Sequence, residues 1–313
     1  MPDDRLLRIG REIFLAAFGL PLDGVDSWVL DRLTSILDEQ EVHAGQALFT
    51  AGEPIEFVYF MRDGKVRFAR PGAPSWTLKG RWVLGAFEVL GDRPVTRTAT
   101  ALQDCYGMRV SAVAWAEMME DSFQLARSAV VNASRAVTQL EEKVPTGVPS
   151  SRDAPMLSAV PPGTLSLVER LALLVDVPML RIGGVQALAE LAAVSKQVSF
   201  EAGEILVERG VEQEDLIRIV DGEVLAECER PDVVRRHGPG ELVCGAAIVG
   251  HAARGWQARA VTPIRGISFP IEGLFDLMEE HFDLVRSALA ALGDRRELLL
   301  EHMATLVTDL EVT

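Results

Sequence analysis

The sequence predicts a mainly β protein with flanking α-helices, built as two tandem antiparallel β-rolls of the jelly-roll type, or double-stranded β-helices. The first observation is an internal repeat: residues 43–66 align with residues 201–224 at an offset of 158, with eight of 24 positions identical. The second is the alternation of short apolar runs with glycine-containing turns in both copies. The third is helical spacing of apolar residues before and after each set of strands. A repeat of this length indicates a duplicated domain rather than a solenoid unit.

The repeated glycines predict tight turns at the corners of each roll. They recur at the same offset, Gly45, Gly52 and Gly64 matching Gly203, Gly210 and Gly222. Glycine adopts positive φ without a Cβ clash, so this role is complete without any ligand. The stretch FVYFMRDGKVRFA adds a hairpin signal, because Asp63-Gly64 supplies the positive φ of a type I′ turn.

The remaining elements follow from periodicity. In the first copy, REIFLAAFGLP and WVLDRLTSILDEQ predict helices within residues 5–40, strands begin at Val42, and the amphipathic stretch 114–143 predicts two helices. In the second copy, the helices LVERLALLVDVPML and VQALAELAAVS precede strands from Val198, and a helical pattern runs from Glu272 to the end. Residues 144–164 contain five prolines and no periodicity, which is typical of a stiff linker. The predicted domains are therefore residues 1–143 and 165–313.

Composition and charge restrict the class of protein. Hydrophobic residues are 48% of the chain and charged residues 25%, as in globular proteins. No apolar run approaches the roughly 20 residues of a membrane span, so no membrane insertion is expected. The net charge of −15 argues against sequence-independent nucleic-acid binding, and the densest basic stretch, ERPDVVRRH, predicts a solvated hairpin. Three scattered cysteines indicate reduced thiols in a cytoplasmic protein.

No pattern in the chain indicates catalysis. The five histidines are dispersed and no His-x-His is present, so no metal site is expected. The G-x-S-x-G, P-loop and G-x-G-x-x-G motifs are absent as well. The sequence therefore predicts a protein that is not an enzyme and requires no cofactor.

The order of the motifs, seen twice, resembles the cyclic nucleotide-binding domain, the β-roll of catabolite activator proteins and protein kinase A regulatory subunits. In both copies AG-x-x-L-x-x-x-G is followed by an apolar strand and DG-x-V, and VERLALLVDVPML is similar to the helix that commonly precedes this domain. The resemblance implies a phosphate-binding cassette similar to F-G-E-x-A-L-L … P-R-x-A-T. In that cassette a short helix presents N–H groups to the cyclic phosphate, a Glu binds the ribose 2′-hydroxyl, and an Arg pairs with the phosphate.

The first copy carries this cassette in residues 84–101, LGAFEVLGDRPVTRTATA. The resemblance implies six ligand-binding residues there: Gly85, Ala86, Phe87, Glu88, Arg97 and Thr98. Ala86 stands at the Glu position, so the ribose contact is missing. Glu88 could reach the ribose from a rearranged loop or be a solvated surface acid. Arg97 could bind the phosphate or form a structural ion pair near the barrel wall.

The second copy carries a degenerate cassette in residues 243–261, VCGAAIVGHAARGWQARAV. Gly245 matches the family glycine, Ala246 again replaces the Glu, and Trp256 falls at the Arg position. Arg254 could swing in from the loop, whereas Arg259 is expected on the opposite face of the strand. We therefore predict that Trp256 fills the phosphate space, and that cyclic nucleotide binding by the chain is weak or absent.

The layout resembles a protein kinase A regulatory subunit reduced to its two rolls, without a basic pseudosubstrate run. A DNA-reading winged helix-turn-helix is not recognisable either, so no nucleic-acid partner is expected. Two hypotheses remain. In the first, cAMP, cGMP or a related ligand binds the first roll and the helix at 115–142 moves. In the second, both rolls are ligand-free, and the helices and the linker dock on a protein partner or on a second copy of the chain as a homodimer. The apolar faces at 115–140 and 282–303 could form a dimer seam or pack on their own barrels.

Overall fold

The computed structural model describes residues 27–91, 94–144, 148, 162–180 and 184–312. The helix predicted from REIFLAAFGLP and most of the predicted linker lie outside these residues. The described residues form two compact units, which divide between Asn132 and Ala133 and again between Leu299 and Leu300. The first unit therefore contains the first roll together with the last residues of the chain. The domain boundaries given above remain a prediction.

The elements are named in chain order. Within the described residues the α-helices are α1 (Ser27–Ile36), α2 (Ala86–Leu90), α3 (Ala112–Asp121), α4 (Phe123–Glu141), α5 (Leu167–Val175), α6 (Val185–Val194), α7 (Gly245–Val249), α8 (Ile271–Glu280) and α9 (Phe282–Leu306). The strands are β1 (Asp38–Val42), β2 (Ala47–Phe49), β3 (Phe57–Asp63), β4 (Lys65–Ala69), β5 (Trp76–Lys79), β6 (Trp82–Leu84), β7 (Thr98–Ala101), β8 (Cys105–Ser111), β9 (Lys196–Phe200), β10 (Ile205–Val207), β11 (Asp215–Asp221), β12 (Val224–Glu227), β13 (Val234–His237), β14 (Gln257–Ala260), β15 (Ile264–Pro270) and β16 (Glu311–Val312).

Local signals in the sequence explain where several helices begin. Ser111 ends β8 and caps α3, because its Oγ accepts a hydrogen bond from the N–H of Ala114 at 3.2 Å. Ser166 and Glu169 form a reciprocal capping box at the start of α5. The prediction of two helices after the first roll is confirmed, since α3 and α4 are separate helices on either side of Ser122.

The first roll consists of two sheets. One has the strand order β1-β8-β3-β6, and the other has the order β16-β5-β4-β7-β2. All strand pairs are antiparallel except that β16 joins β5 in parallel, with Glu311 opposite Thr77. On the second sheet, alternate residues of β4, β5 and β7 are buried on one face, which we call the inner face.

The second roll repeats this plan. Its sheets have the orders β11-β15-β9 and β10-β14-β12-β13, and every pair is antiparallel. The corresponding turn glycines share the left-handed conformation, with φ of +87° at Gly45 and +91° at Gly203. The predicted architecture of two antiparallel β-rolls with flanking helices is thus confirmed.

The prediction of a hairpin at Asp63-Gly64 is wrong. Strand β3 pairs with β6 and β8, whereas β4 pairs with β5 and β7, so the chain crosses from one sheet to the other at Gly64. A Cβ at Gly64 would lie 2.4 Å from the Sγ of Cys105, and φ is +145°. The glycine is therefore needed for a close corner between sheets, which Asp-Gly spacing alone does not distinguish from a hairpin.

The apolar faces of the two long helices are buried within the chain. On α4 the buried residues include Leu125, Val130 and Val137, each 0% exposed. On α9 Leu284 and Leu299 are also 0% exposed. These faces therefore do not present the exposed seam that a homodimer would need.

Candidate functional site

The cassette of the first roll begins at Gly85, which has φ of +88° and precedes the five-residue helix α2. A Cβ at this position would lie 3.1 Å from the carbonyl oxygen of Phe57, so both conformation and space favour glycine. Leu90 is buried and anchors the end of the short helix. The four residues between them, Ala86, Phe87, Glu88 and Val89, are half-buried. Glu88 is thus neither fully solvated nor enclosed.

Arg97 is buried on the inner face of the first roll, with only 3% of its surface exposed. Its guanidinium carbon lies 4.0 Å from the centroid of the Trp76 ring, a cation–π geometry. Its Nη1 donates a hydrogen bond to the carbonyl oxygen of Pro74 at 2.7 Å. The next residue, Thr98, accepts a hydrogen bond from the N–H of Ala51 at 3.1 Å. The sheet and the indole together therefore fix the guanidinium in place.

The anion beside Arg97 is a carboxylate of the chain itself. Glu301, near the end of α9, places its Oε1 3.1 Å from Nη2 of Arg97 and 2.7 Å from Nη2 of Arg70. The Glu301 side chain is 20% exposed, so this charge-assisted contact is only partly screened by water. Of the two roles that the sequence left open for Arg97, the ion pair is present in the structure. Phosphate binding by Arg97 remains a prediction.

The residues that follow Glu301 continue along the first roll. The carbonyl oxygen of Leu310 accepts a hydrogen bond from the N–H of Thr77 at 2.8 Å. Glu311, the first residue of β16, lies 2.5 Å from Nζ of Lys65 and 3.5 Å from Nζ of Lys79. The hydrogen bond from Lys65 holds the pKa of the Glu311 carboxyl below its usual value, and the charges of both lysines act in the same direction.

The strand registers identify the corresponding positions on the inner faces of the two rolls. In the first roll Phe68 pairs with Trp76 on β5 and with Ala99 on β7. In the second roll Ala226 takes the place of Phe68, and it pairs with Arg235 on β13 and with Ala258 on β14. Arg235 therefore corresponds to Trp76.

The position of the cassette arginine, Arg97, can be matched between the rolls in the same way. Arg97 stands two residues before Ala99, and Trp256 stands two residues before Ala258, so Trp256 corresponds to Arg97. Each roll thus has one arginine and one tryptophan at these two positions, in exchanged places, and all four side chains are at most 7% exposed. The exchange was only half visible in the sequence, which pointed to Trp256 but not to Arg235.

Arg235 was missed because it lies in ERPDVVRRH. The predicted hairpin is confirmed, since β12 and β13 pair across this stretch, but Arg235 itself is 7% exposed rather than solvated. The available signal was the alignment of this residue with Trp76 at an offset of 159.

In the second unit Arg235 caps the end of α4. Its Nη2 donates to the carbonyl oxygens of Glu141 and Val144, both at 2.7 Å, and burial lowers its pKa. The Glu141 carboxylate in turn accepts hydrogen bonds from Arg295, at 2.8 Å from Nε and 2.7 Å from Nη2. The Arg235 guanidinium is therefore held by main-chain oxygens.

The other predicted residues of the second cassette do not assemble an anion site. Gly245 and Ala246 lie in the short helix α7, and Trp256 is buried. Arg254 points to solvent, where its Nη2 lies 2.9 Å from Glu212. Arg259 donates to the carbonyl oxygen of Gly203 at 2.5 Å. Degeneracy of this pocket remains a prediction, which these positions support.

A cavity of about 500 Å³ opens on the first roll at a different place. Its described lining runs from Leu48 to Tyr59 and includes the carboxylates of Glu53 and Glu56. Arg97 is not among the residues that line this cavity, but Ile55 and Phe57, which do line it, lie against Gly85 of the cassette.

Among the described residues, no group of three or more His, Cys, Asp or Glu side chains is placed to hold a metal ion. The helices described above include none whose length and apolarity would let it cross a bilayer.

These features define a protein of two β-rolls, each with a buried cation and an aromatic ring on its inner face. A family model for the cyclic nucleotide-binding domain matches residues 39–122 and 197–281, together more than half of the chain. The chain therefore belongs to the cyclic nucleotide-binding domain family, with two such domains in tandem. The comparison with curated proteins found no match.

Several of the solved structures that match the chain are regulatory parts of protein kinase A. The regulatory domain from Toxoplasma gondii, solved with cAMP, is 14% identical, with 89% of this chain and 94% of that one covered and a TM-score of 0.33. A regulatory subunit of a cAMP-independent protein kinase A from Trypanosoma brucei is 13% identical, with 90% and 91% covered and a TM-score of 0.35. One from Trypanosoma cruzi, bound to guanosine, is 11% identical, with 89% and 87% covered and a TM-score of 0.33. All three TM-scores are low, so the family assignment rests on the family model.

Proposed function

We propose that the chain is a non-catalytic regulatory protein whose first roll carries a ligand-responsive anion site at Arg97. The observation that carries this proposal is the buried guanidinium at the cassette position, which already contacts an anion, the Glu301 carboxylate. A cyclic nucleotide such as cAMP or cGMP would bring a phosphate to the same guanidinium. Membership in the cyclic nucleotide-binding domain family supports this class of ligand.

The proposal includes weak binding. Ala86 offers no carboxylate to a ribose 2′-hydroxyl, and losing a charged hydrogen bond costs roughly 1.5–3 kcal/mol, or about one to two decades in affinity. Glu301 must also leave Arg97 before a phosphate can take its place. We therefore expect a dissociation constant for cAMP of about 1 μM or weaker.

In this proposal the second roll has a structural role. Trp256 stands where the phosphate-binding arginine would be, and the buried Arg235 is already committed to the end of α4. A ligand signal would then leave the first roll through α3 and α4, the helices that follow it. Both features favour one responsive roll and one fixed roll.

Calorimetric titration of the full chain with cAMP and cGMP tests the proposal. Arg97→Met should abolish the weak binding, whereas the matched control Arg254→Met should leave it unchanged because Arg254 is solvent-exposed. Arg97→Lys keeps the charge and should retain part of the affinity if Arg97→Met proves unstable. Submicromolar binding of cAMP, or binding unchanged by Arg97→Met, would contradict the proposal.

The second candidate function is an interaction module in the cytoplasm, with protein partners and no small ligand. One observation favours it: helices α5 and α6 expose aliphatic side chains of the second unit, between 39% and 73%, namely Leu167, Val168, Val175, Val185 and Val194. Sedimentation of the full chain distinguishes a homodimer from a hetero-partner. A dimer that becomes monomeric on Val168→Asp, with unchanged far-ultraviolet circular dichroism, would establish self-association through this surface.

A further inference from the structure

We infer that the segment of residues 300–312 is an internal ligand of the first roll, which makes the roll an acidic-peptide site that is filled by its own chain. The segment comprises the last turns of α9, a short connection, and β16. It brings two carboxylates to four cations of the roll. Glu301 contacts Arg97 and Arg70, and Glu311 contacts Lys65 and Lys79.

The main chain of the segment is recognised as well. Strand β16 extends the sheet beside β5, and the carbonyl oxygen of Leu310 accepts a hydrogen bond from the N–H of Thr77. The Leu310 side chain is 6% exposed and serves as an apolar anchor between the two charged contacts. A sheet edge recognises an extended peptide by adding it as a strand and by binding its side chains. Here the side-chain contacts are one buried aliphatic residue and two sets of paired charges.

Glu301 contacts the guanidinium of Arg97, which is the group that an external anion would need. The Glu301 carboxylate lies 3.1 Å from Nη2 of Arg97, so a phosphate at that nitrogen would meet a second negative charge at close range. An external anion can therefore bind Arg97 only when the segment has left. If the open state is about 1% of molecules, the apparent affinity is reduced about 100-fold. This consequence, competition with a ligand, rests on the function proposed above, whereas the docking of the segment does not.

The third acid of the segment provides a matched control. Asp309 is exposed, has φ of +56°, and makes no hydrogen bond or ion pair with any other residue that the structure describes. Asn tolerates this left-handed conformation, so Asp309→Asn removes one negative charge without strain. A second control charge is Glu279, which is exposed on α8.

The docking is tested by amide hydrogen exchange on the full-length protein. In Glu301→Gln/Glu311→Gln the Thr77 amide should exchange at least tenfold faster than in Asp309→Asn/Glu279→Gln, because its acceptor belongs to the segment. The Ala101 amide, which donates to Gln46 within the roll, is the internal reference. Global unfolding would raise both rates, so the measured quantity is the ratio of Thr77 to Ala101 exchange. If the double variant does not fold, the single variant Glu311→Gln gives the same ratio. An unchanged ratio would overturn the inference.

The competition is tested by titrating both double variants with cAMP and with inorganic phosphate. We expect at least tenfold tighter binding to Glu301→Gln/Glu311→Gln than to the control. Equal affinity for the two proteins, with Thr77 still protected in the complex, would overturn the competition. Absence of binding to either protein would contradict the proposed function, and the Thr77 ratio would still decide whether the segment is an internal ligand.

Discussion

The ion pair between Arg97 and Glu301 should contribute more to stability than a shorter pair elsewhere in the same unit. Arg97 and Glu301 are 3% and 20% exposed and their nearest atoms are 3.1 Å apart. Arg32 and Asp121 are 2.5 Å apart, but their side chains are 35% and 50% exposed. Solvent screening reduces exposed pairs to about 0.2–1 kcal/mol, whereas removing one partner of a buried pair costs about 3–5 kcal/mol. The Arg97 pair lies between these limits, so we expect a coupling energy of about 1.5–3 kcal/mol.

Two double-mutant cycles measure the difference. The first combines Arg97→Met with Glu301→Gln, and the second combines Arg32→Met with Asp121→Asn. The free energy of unfolding in urea is followed by tryptophan fluorescence and by circular dichroism, because two units need not unfold in one transition. The cycle subtracts the loss of the Trp76 contact, which Arg97→Met incurs with or without Glu301. A coupling energy for the first cycle no larger than for the second would refute the reasoning that burial outweighs distance.

Three further predictions address other parts of the structure. Because the pKa of Glu311 is lowered in the folded protein, its contribution to the docking of β16 is complete above the unfolded pKa of roughly 4.3 and is lost as pH falls through the folded value. The protection factor of the Thr77 amide, which corrects for the slower intrinsic exchange in acid, should therefore fall relative to that of Ala101 as pH is lowered, and should not do so in Glu311→Gln. Gly64→Ala should lower the melting temperature more than Gly52→Ala, because an added Cβ meets the Cys105 Sγ at 2.4 Å in one case and nothing within 4 Å in the other; equal shifts would contradict this. Arg235→Met should destabilise the second unit by about 2–4 kcal/mol in urea, since two buried carbonyls lose their donor, whereas Arg236→Met, at an exposed side chain, should cost less than about 0.5 kcal/mol.

The sequence was most informative where the determinant is local. Glycines that need positive φ recur at a fixed offset, and alternation of apolar residues depends only on neighbours, so both rolls could be predicted before any contact was known. The prediction of a hairpin at Asp63-Gly64 was wrong for the same reason. A corner between two sheets and a turn within one sheet need the same local conformation, and they differ only in which distant strand becomes the partner.

The contacts of Arg97 were less predictable from the sequence, because the residues that it contacts lie far from it along the chain. Arg70 and Glu301 are 231 residues apart, and no motif links them. A two-residue strand such as β16 has no periodicity to detect, and its position depends on the sheet that it joins. Arg97 could be located by resemblance alone, but its counterion could not.

In the proposed function, the exchange of arginine and tryptophan between the rolls accounts for a responsive site at the cassette position of the first roll. At these two positions each roll carries one buried guanidinium and one buried indole. In the first roll the arginine stands at the cassette, where its partner is a carboxylate that another anion can replace. In the second roll the arginine stands on β13, where its partners are main-chain carbonyls at the end of a helix, and no anion can substitute for these. Under this proposal the same two side chains make the first roll exchangeable and the second fixed, according to which strand carries the charge.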